Sequence, residues 1–146
     1  MDNNTVEILL IEDSMNDAEL TIRALRQGKI NNQLIHLKNG AEALDFLFGT
    51  GQFEGRNISN KPKVIMLDLK MPKVDGLEVL KQIKANELTK TIPVVILTSS
   101  KEHPDIERAY SLGANSYIVK PVEFDEFAKA VAGLGLYWLL MNEPHV

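Results

Sequence analysis

Three short apolar segments of this chain each end directly in charged residues. They are Val6 to Ile11, followed by Glu12 and Asp13; Lys63 to Leu67, followed by Asp68; and Ser116 to Val119, followed by Lys120. In an open parallel sheet all strands point the same way, so residues at their carboxyl ends meet in one crevice, where α/β folds usually bind ligands. We therefore expect one site to contain these charges together with Thr98, which follows a fourth apolar segment.

The apolar segments alternate with longer segments of helical spacing, which is typical of repeated βα units that build a parallel sheet. The five predicted strands are residues 6–11, 33–37, 63–67, 93–97 and 116–119. The third and fourth contain continuous apolar runs, as strands buried on both faces do. The predicted helices are one from Met15, capped by Ser14 and ended by Gly28, and those at 40–48, 76–85, 104–112 and from Glu123 onward. The pattern predicts a doubly wound α/β fold, in which helices cover both faces of a five-stranded parallel sheet.

Composition narrows the class of protein. With 146 residues, of which 45% are hydrophobic, the chain is expected to form one globular domain with its own core. It has no cysteine, which excludes disulfides and zinc–thiolate sites, and its polar amino terminus does not resemble a signal peptide. We therefore expect a cytoplasmic protein.

The charge of the chain argues against nucleic-acid binding. The net charge is -4 and the lysines are dispersed along the sequence, whereas nucleic-acid binding needs a clustered basic face.

The predicted cluster of carboxylates imposes a chemical condition. Three acids in one crevice repel one another unless a cation joins them. Magnesium suits such a site better than calcium, because it is usually held by one or two carboxylates, several waters and phosphate oxygens. With the metal bound, one carboxylate can attack a phosphoryl group. The transferred group is negatively charged and needs a cation and a hydroxyl donor, which Lys120 and Thr98 can supply.

The same residues belong to a series of short motifs. In chain order these are Glu12-Asp13-Ser14, Asp68-Leu69-Lys70-Met71-Pro72 with Asp75-Gly76, Leu97-Thr98-Ser99, Gly113-Ala114 and Tyr117-Ile118-Val119-Lys120-Pro121. Their order and spacing resemble the receiver domain of two-component response regulators over roughly residues 6–136. The resemblance implies a flavodoxin-like sheet with strand order 2-1-3-4-5. It also implies a single receiver domain over residues 1–146, with an apolar carboxyl-terminal extension at about 137–146.

The resemblance further implies a function in phosphorelay signal transduction. Asp68 would accept a phosphoryl group from a sensor histidine kinase or a histidine phosphotransfer protein, so that the chain would be a phosphoacceptor and not an enzyme. Mg²⁺ would be bound by Asp13, Asp68, the main-chain carbonyl of Lys70 and Glu12, the last through a water.

Other residues would respond to the phosphoryl group. Lys120 would pair with it, and its peptide bond to Pro121 would be cis. Thr98 and Tyr117 would form a switch pair. A long loop at residues 49–61 and an aromatic, leucine-rich end are similar to the stand-alone regulators that accompany bacterial phytochrome-type kinases.

Each of these residues also has a structural interpretation. Glu12 and Asp13 can cap a helix, since acids favour the positive amino-terminal end of the helix dipole. Asp68 can belong to a turn, Lys120 can be a surface charge, and Tyr117 can serve packing alone. The joint occurrence of the charged residues at strand ends favours the functional interpretation.

A phosphohydrolase with an aspartate nucleophile would use a similar set of residues. Such hydrolases place a general-acid aspartate two positions after the nucleophile, where this chain has Lys70. A lysine cannot fill that role at neutral pH, which disfavours the hydrolase. A receiver-like domain that is never phosphorylated is a third alternative, although every group required for phosphorylation is present.

The carboxyl-terminal region has an unusual composition. Residues 130–141, AVAGLGLYWLLM, contain no charged side chain and are too few to span a membrane, which takes roughly 20 apolar residues. A helix there would leave residues 136–141 half exposed, as at a partner surface. We expect a homodimer through the fourth helix, the fifth strand, the final helix and this tail. The alternative is a tail that folds back onto its own domain.

Overall fold

The structure, a computed structural model, describes residues 6–71, 73–120 and 123–141, apart from the side chains of residues 135, 136, 140 and 141. The strands are β1 Ile8–Ile11, β2 Leu34–Leu37, β3 Val64–Leu67, β4 Val94–Thr98 and β5 Ser116–Val119. The helices are α1 Met15–Gln27, α2 Gly40–Phe48, α3 Gly76–Ala85, α4 His103–Ser111 and α5 Phe124–Leu136. All strand pairs are parallel, in the order β2-β1-β3-β4-β5. The predicted fold class and strand order are confirmed.

The sheet is covered on both faces because alternate strand residues point to opposite sides. In β1, Leu9 and Ile11 join a buried cluster with residues of α2, α3 and α4. Ile8 and Leu10 join a second cluster with residues of α1 and α5. Every residue of β1, β3 and β4 is buried, which explains the continuous apolar runs of the sequence.

Side-chain caps fix where three of the helices begin. Ser14 Oγ accepts a hydrogen bond from the Asp17 amide (3.2 Å), and Asn39 and Asp75 cap α2 and α3 in the same way. Such caps satisfy amide groups that have no partner within the helix. The capping role predicted for Ser14 is confirmed.

Helix α3 begins in very close contact with the end of β3. A Cβ atom on Gly76 would lie 2.2 Å from the main-chain oxygen of Asp68. The Gly76 amide donates to the carbonyl of Leu69 at 2.9 Å. Only glycine fits so close to another backbone, so the start of α3 and the residues after β3 form one tightly packed unit.

The loop predicted at residues 49–61 contains one short 3₁₀ turn, Gly51–Phe53. Arg56 holds this loop by donating to the carbonyls of Phe46 (2.9 Å) and Asn60 (2.7 Å). Its guanidinium also lies 3.8 Å from the centre of the Phe46 ring. The long connection is therefore a packed segment.

Beyond α5 the described residues continue as one π-helical turn, Tyr137–Met141. The predicted half exposure holds for Tyr137, which is 44% exposed, and is wrong for Leu139, which is buried. Leu139 and the neighbouring Trp138 pack against the second core cluster, because the continued helix keeps one face on its own domain. Among the described residues, no helix has the length and apolar composition of a membrane-spanning segment. The predicted cis bond before Pro121 lies outside the described residues.

Candidate functional site

The carboxyl ends of the strands bring the predicted site residues to one edge of the sheet. Ile11 of β1 lies opposite Leu67 of β3, and the Asp68 amide donates to the carbonyl of Ile11 at 3.0 Å. Glu12 and Asp68 therefore follow neighbouring strands at the same level. On the other side, the Lys120 amide donates to the carbonyl of Thr98 at 2.8 Å, which joins the ends of β4 and β5.

Three carboxylates form a compact cluster at this edge. One oxygen each of Glu12, Asp13 and Asp68 lies within 4.8 Å of the others. Glu12 is 2% exposed and Asp68 7% exposed, whereas Asp13 is exposed. Burial raises the pKa of Glu12 to about 8; the nearby Asp68 adds to this rise, and the hydrogen bond from Lys120 opposes it. The cluster thus favours any added positive charge.

The Lys120 ammonium is the cation already present in the cluster. Its Nζ lies 2.6 Å from Glu12 Oε1, 2.9 Å from Asp17 Oδ2 and 3.6 Å from Asp68 Oδ2. The first two distances are hydrogen bonds, and the third is too long for one. Burial acts to lower the pKa of Lys120, but its hydrogen bonds to Glu12 and Asp17 outweigh burial and raise the pKa. Lys120 is therefore charged and held toward β1 and α1.

Two residues that the sequence analysis did not assign to the site also contact its members. Asp17 accepts from Lys120, and His36 Nε2 lies 2.7 Å from the main-chain oxygen of Glu12. A carbonyl oxygen can only accept, so this ring nitrogen carries the proton. Asp17 stands three residues after Ser14, where acids commonly stabilise a helix start. Because that role accounts for an acid at this position, the sequence offers no reason to assign Asp17 to the site. The only sequence signal for His36 is a polar residue within the apolar β2 segment.

The predicted switch residues are joined through Ser100. The Ser100 amide donates to Thr98 Oγ1 at 3.4 Å, and the Tyr117 hydroxyl donates to the Ser100 carbonyl at 3.0 Å. Thr98 is fully buried and Tyr117 half-buried. Burial raises the pKa of Tyr117, although the hydrogen bond to Ser100 partly opposes this, so its hydroxyl remains a donor. Thr98 and Tyr117 are thus both hydrogen-bonded to the main chain of Ser100, Thr98 to its amide and Tyr117 to its carbonyl.

An open crevice of about 400 Å³ adjoins the carboxylate cluster. It is lined by Asp13, Leu69, Lys70, Met71, Asp75, Leu77 and Asp105. The Lys70 amide donates to Asp68 Oδ1 at 3.4 Å, while the Lys70 ammonium lies 3.8 Å from Asp105 Oδ2. The Lys70 side chain is 69% exposed. Asp13 is thus open to solvent through this crevice, which has room for a hydrated cation.

Comparison with known proteins gives similarity along most of the chain. The curated relatives include the probable methanogenesis regulatory protein FilR2 of Methanothrix harundinacea, 42% identical over 92% of this chain and 84% of its own length. Another is the response regulator Rcp1 of Synechocystis, 41% identical over 90% of this chain and 88% of its own.

Solved structures agree with these relatives. The phosphorylated cyanobacterial phytochrome response regulator RcpA superposes with a TM-score of 0.86 at 33% identity, covering 97% of this chain and 99% of RcpA. The Mn²⁺-bound form of Rcp1 superposes with a TM-score of 0.85 at 38% identity, covering 97% of this chain and 99% of the Rcp1 chain. The predicted resemblance to stand-alone, phytochrome-associated regulators is confirmed.

A family model gives the assignment independently. The response regulator receiver domain matches residues 8–132, which include all five strands and the whole carboxylate cluster. Sequence motifs, sheet order and strand-end charges agree with this match. This chain belongs to the receiver domain family of two-component response regulators.

Proposed function

We propose that this receiver domain accepts a phosphoryl group on Asp68 from a sensor histidine kinase or a histidine phosphotransfer protein and then presents an altered surface to a partner. The observation that carries the proposal is the position of the buried Asp68 carboxylate, within 4.8 Å of the Glu12 and Asp13 carboxylates and 3.6 Å from the Lys120 ammonium. That RcpA has been solved in a phosphorylated form supports it.

The transfer needs one nucleophile and compensation for negative charge. A carboxylate oxygen of Asp68 would attack phosphorus, the bond from phosphorus to the donor would break, and an acyl phosphate would form on Asp68. Lys120 would pair with a phosphoryl oxygen and the Thr98 hydroxyl would donate to another, as such charge requires. Because Asp68 is 7% exposed, little water would compete for the same position.

The residues present fit a divalent cation. The donor set of Glu12, Asp13 and Asp68 consists of oxygen atoms, as hard cations require, and the Lys70 carbonyl would complete it. We propose Mg²⁺; the Mn²⁺-bound structure of Rcp1 supports a divalent ion at such a site. When bound, the ion would neutralise charge on the phosphoryl oxygens. Asp13 is the exposed member, whereas Glu12 is already bound to Lys120, so Asp13 would contribute most to affinity.

The side chain two positions after Asp68 favours a phosphoacceptor over a phosphohydrolase. A hydrolase would need a general acid there. The Lys70 amine instead extends toward Asp105, at 3.8 Å. We therefore propose that the chemistry of this chain is limited to phosphorylation and dephosphorylation of its own Asp68.

The first prediction concerns the phosphorylation site. Wild-type protein incubated with Mg²⁺ and acetyl phosphate should gain the mass of one phosphoryl group, measured on the intact protein. Asp68→Asn should gain none, because an amide is not a nucleophile. Asp75→Asn is the matched control, since asparagine keeps the helix cap, and it should react as wild type does. Equal modification of Asp68→Asn would disprove the assignment.

The second prediction concerns the metal. In calorimetric titration Asp13→Asn should weaken Mg²⁺ affinity by about tenfold or more, since even residues that only support metal ligands contribute that much. Glu12→Gln should have a smaller effect. Asp75→Asn removes a charge from the same crevice and should leave the affinity nearly unchanged. An Asp13→Asn dissociation constant equal to that of wild type would rule out ligation by Asp13.

The third prediction concerns the switch pair. When the Thr98 hydroxyl moves to a phosphoryl oxygen, its hydrogen bond from Ser100 should be lost, and the Tyr117 ring should turn, since its hydroxyl is bound to the same residue. Backbone NMR with Mg²⁺ and beryllofluoride should show shifts at Ser100, in α4 and in β5. In Thr98→Val, the shifts in α4 and β5 should shrink. Shifts confined to the loops beside Asp68 would contradict the switch.

The fourth prediction concerns self-association. We propose a homodimer through α4, β5, α5 and the end of the chain, because Tyr110 of α4 and Tyr137 after α5 are 49% and 44% exposed. The Tyr110 ring lies 6.4 Å from that of Tyr117 on β5. Sedimentation should show a concentration-dependent dimer that Tyr110→Ser weakens. Leu88→Ser, which alters another exposed apolar residue (43%) between α3 and β4, should not weaken it. A monomer at high micromolar concentration, with and without beryllofluoride, would refute the dimer.

A further inference from the structure

Lys120 is held by a residue that does not follow a strand. Asp17 lies in the first turn of α1, and its Oδ2 is 2.9 Å from Lys120 Nζ. The Asp17 main chain has separate contacts, since its amide donates to Ser14 and its carbonyl accepts from Thr21. These main-chain hydrogen bonds do not use the Asp17 carboxylate, which is therefore free to accept from Lys120.

Three carboxylates lie around the one Lys120 ammonium. Nζ donates at 2.6 Å to Glu12 and at 2.9 Å to Asp17, and it lies 3.6 Å from Asp68 Oδ2. Charge-assisted bonds between an ammonium and an anionic oxygen are about 2.7–2.9 Å long. At 3.6 Å Lys120 forms no such bond with Asp68 itself, and a phosphoryl oxygen on Asp68 would be a further anionic acceptor for the same ammonium.

The two present partners differ in how easily they release Lys120. The Glu12 side chain is 2% exposed and also accepts from the Ser14 amide, so its loss of Lys120 would leave a buried acceptor oxygen without its donor, which is costly. The Asp17 side chain is 41% exposed, so water can replace Lys120 there at little cost. Of the two hydrogen bonds, the one to Asp17 is therefore the easier to break.

We propose that Asp17 is a positioning residue that holds Lys120 away from Asp68 in the unphosphorylated domain and competes with the phosphoryl group for it. This inference rests on the proposed function and adds a residue to it. Asp17 lowers the affinity of the site for a phosphoryl group, and its release on phosphorylation changes the charge exposed at the amino-terminal end of α1.

The direct test of the contact uses the free protein. The side-chain ¹⁵N resonance of Lys120 should differ clearly between wild type and Asp17→Asn, because one of its two hydrogen-bonded carboxylates is gone. Glu19→Gln removes an exposed charge from the same helix and should leave the resonance in place. An unchanged Lys120 resonance in Asp17→Asn would overturn the inference, whatever the fate of the proposed function.

The test of the competition titrates beryllofluoride in the presence of Mg²⁺. Asp17→Asn should bind it about two- to fivefold more tightly than wild type, the range expected for a partly exposed ion pair. The affinity of Asp17→Glu, which keeps a carboxylate, should be closer to that of wild type. The affinity of Glu19→Gln should equal that of wild type. Equal affinity in Asp17→Asn and Glu19→Gln would overturn the competition while leaving the proposed function intact. Failure of the wild type itself to bind beryllofluoride would overturn both.

Discussion

A single ammonium allows several carboxylates to share one end of the sheet. Lys120 contacts Glu12 and Asp17 and lies close to Asp68. Without it the buried Glu12 would keep only the hydrogen bond from the Ser14 amide, and a buried acceptor that loses its donor is destabilising. One cation does not balance Glu12, Asp13, Asp17 and Asp68, so the cluster keeps an excess of negative charge. That excess favours a divalent ion, and an ion bound there would let the site accept an anionic group that it otherwise repels.

The positions of these charges depend on the apolar core. If a strand slipped by one residue, its side chains would turn to the opposite faces of the sheet. The charged residue after the strand would then be displaced from its neighbours. Such a slip is costly in β1 and β3, which are buried throughout and paired from Ile8 with Val64 to Ile11 with Leu67. Core packing thus places Glu12 beside Asp68 although neither belongs to the core clusters. The close approach of Gly76 to Asp68 fixes the following loop in the same way.

The fold and the gathering of strand-end charges could be predicted from the sequence because both depend on short-range patterns. Apolar runs mark the strands, and parallel strands bring their ends together. The role of Asp17 could not be predicted, because an acid in a first helical turn already has a sufficient local explanation. The packing of Leu139 was missed for a different reason: residues 130–141 have no charged residue to mark an exposed face, so the sequence did not show which side of the helix meets the core.

Hydrogen bonds connect the site to two different surfaces, one on α4 and β5 and the other at the start of α1. On one side, Thr98 is linked through Ser100 to Tyr117, whose ring lies near Tyr110 of α4. On the other, Lys120 is linked to Asp17 of α1, a helix that packs against α5. A phosphoryl group on Asp68 would draw on Thr98 and Lys120 together, so both links would change in one event. The surface on α4 and β5 and the start of α1 would then respond to the same charge, and a partner that contacts both would distinguish the two states more sharply than a partner that contacts one.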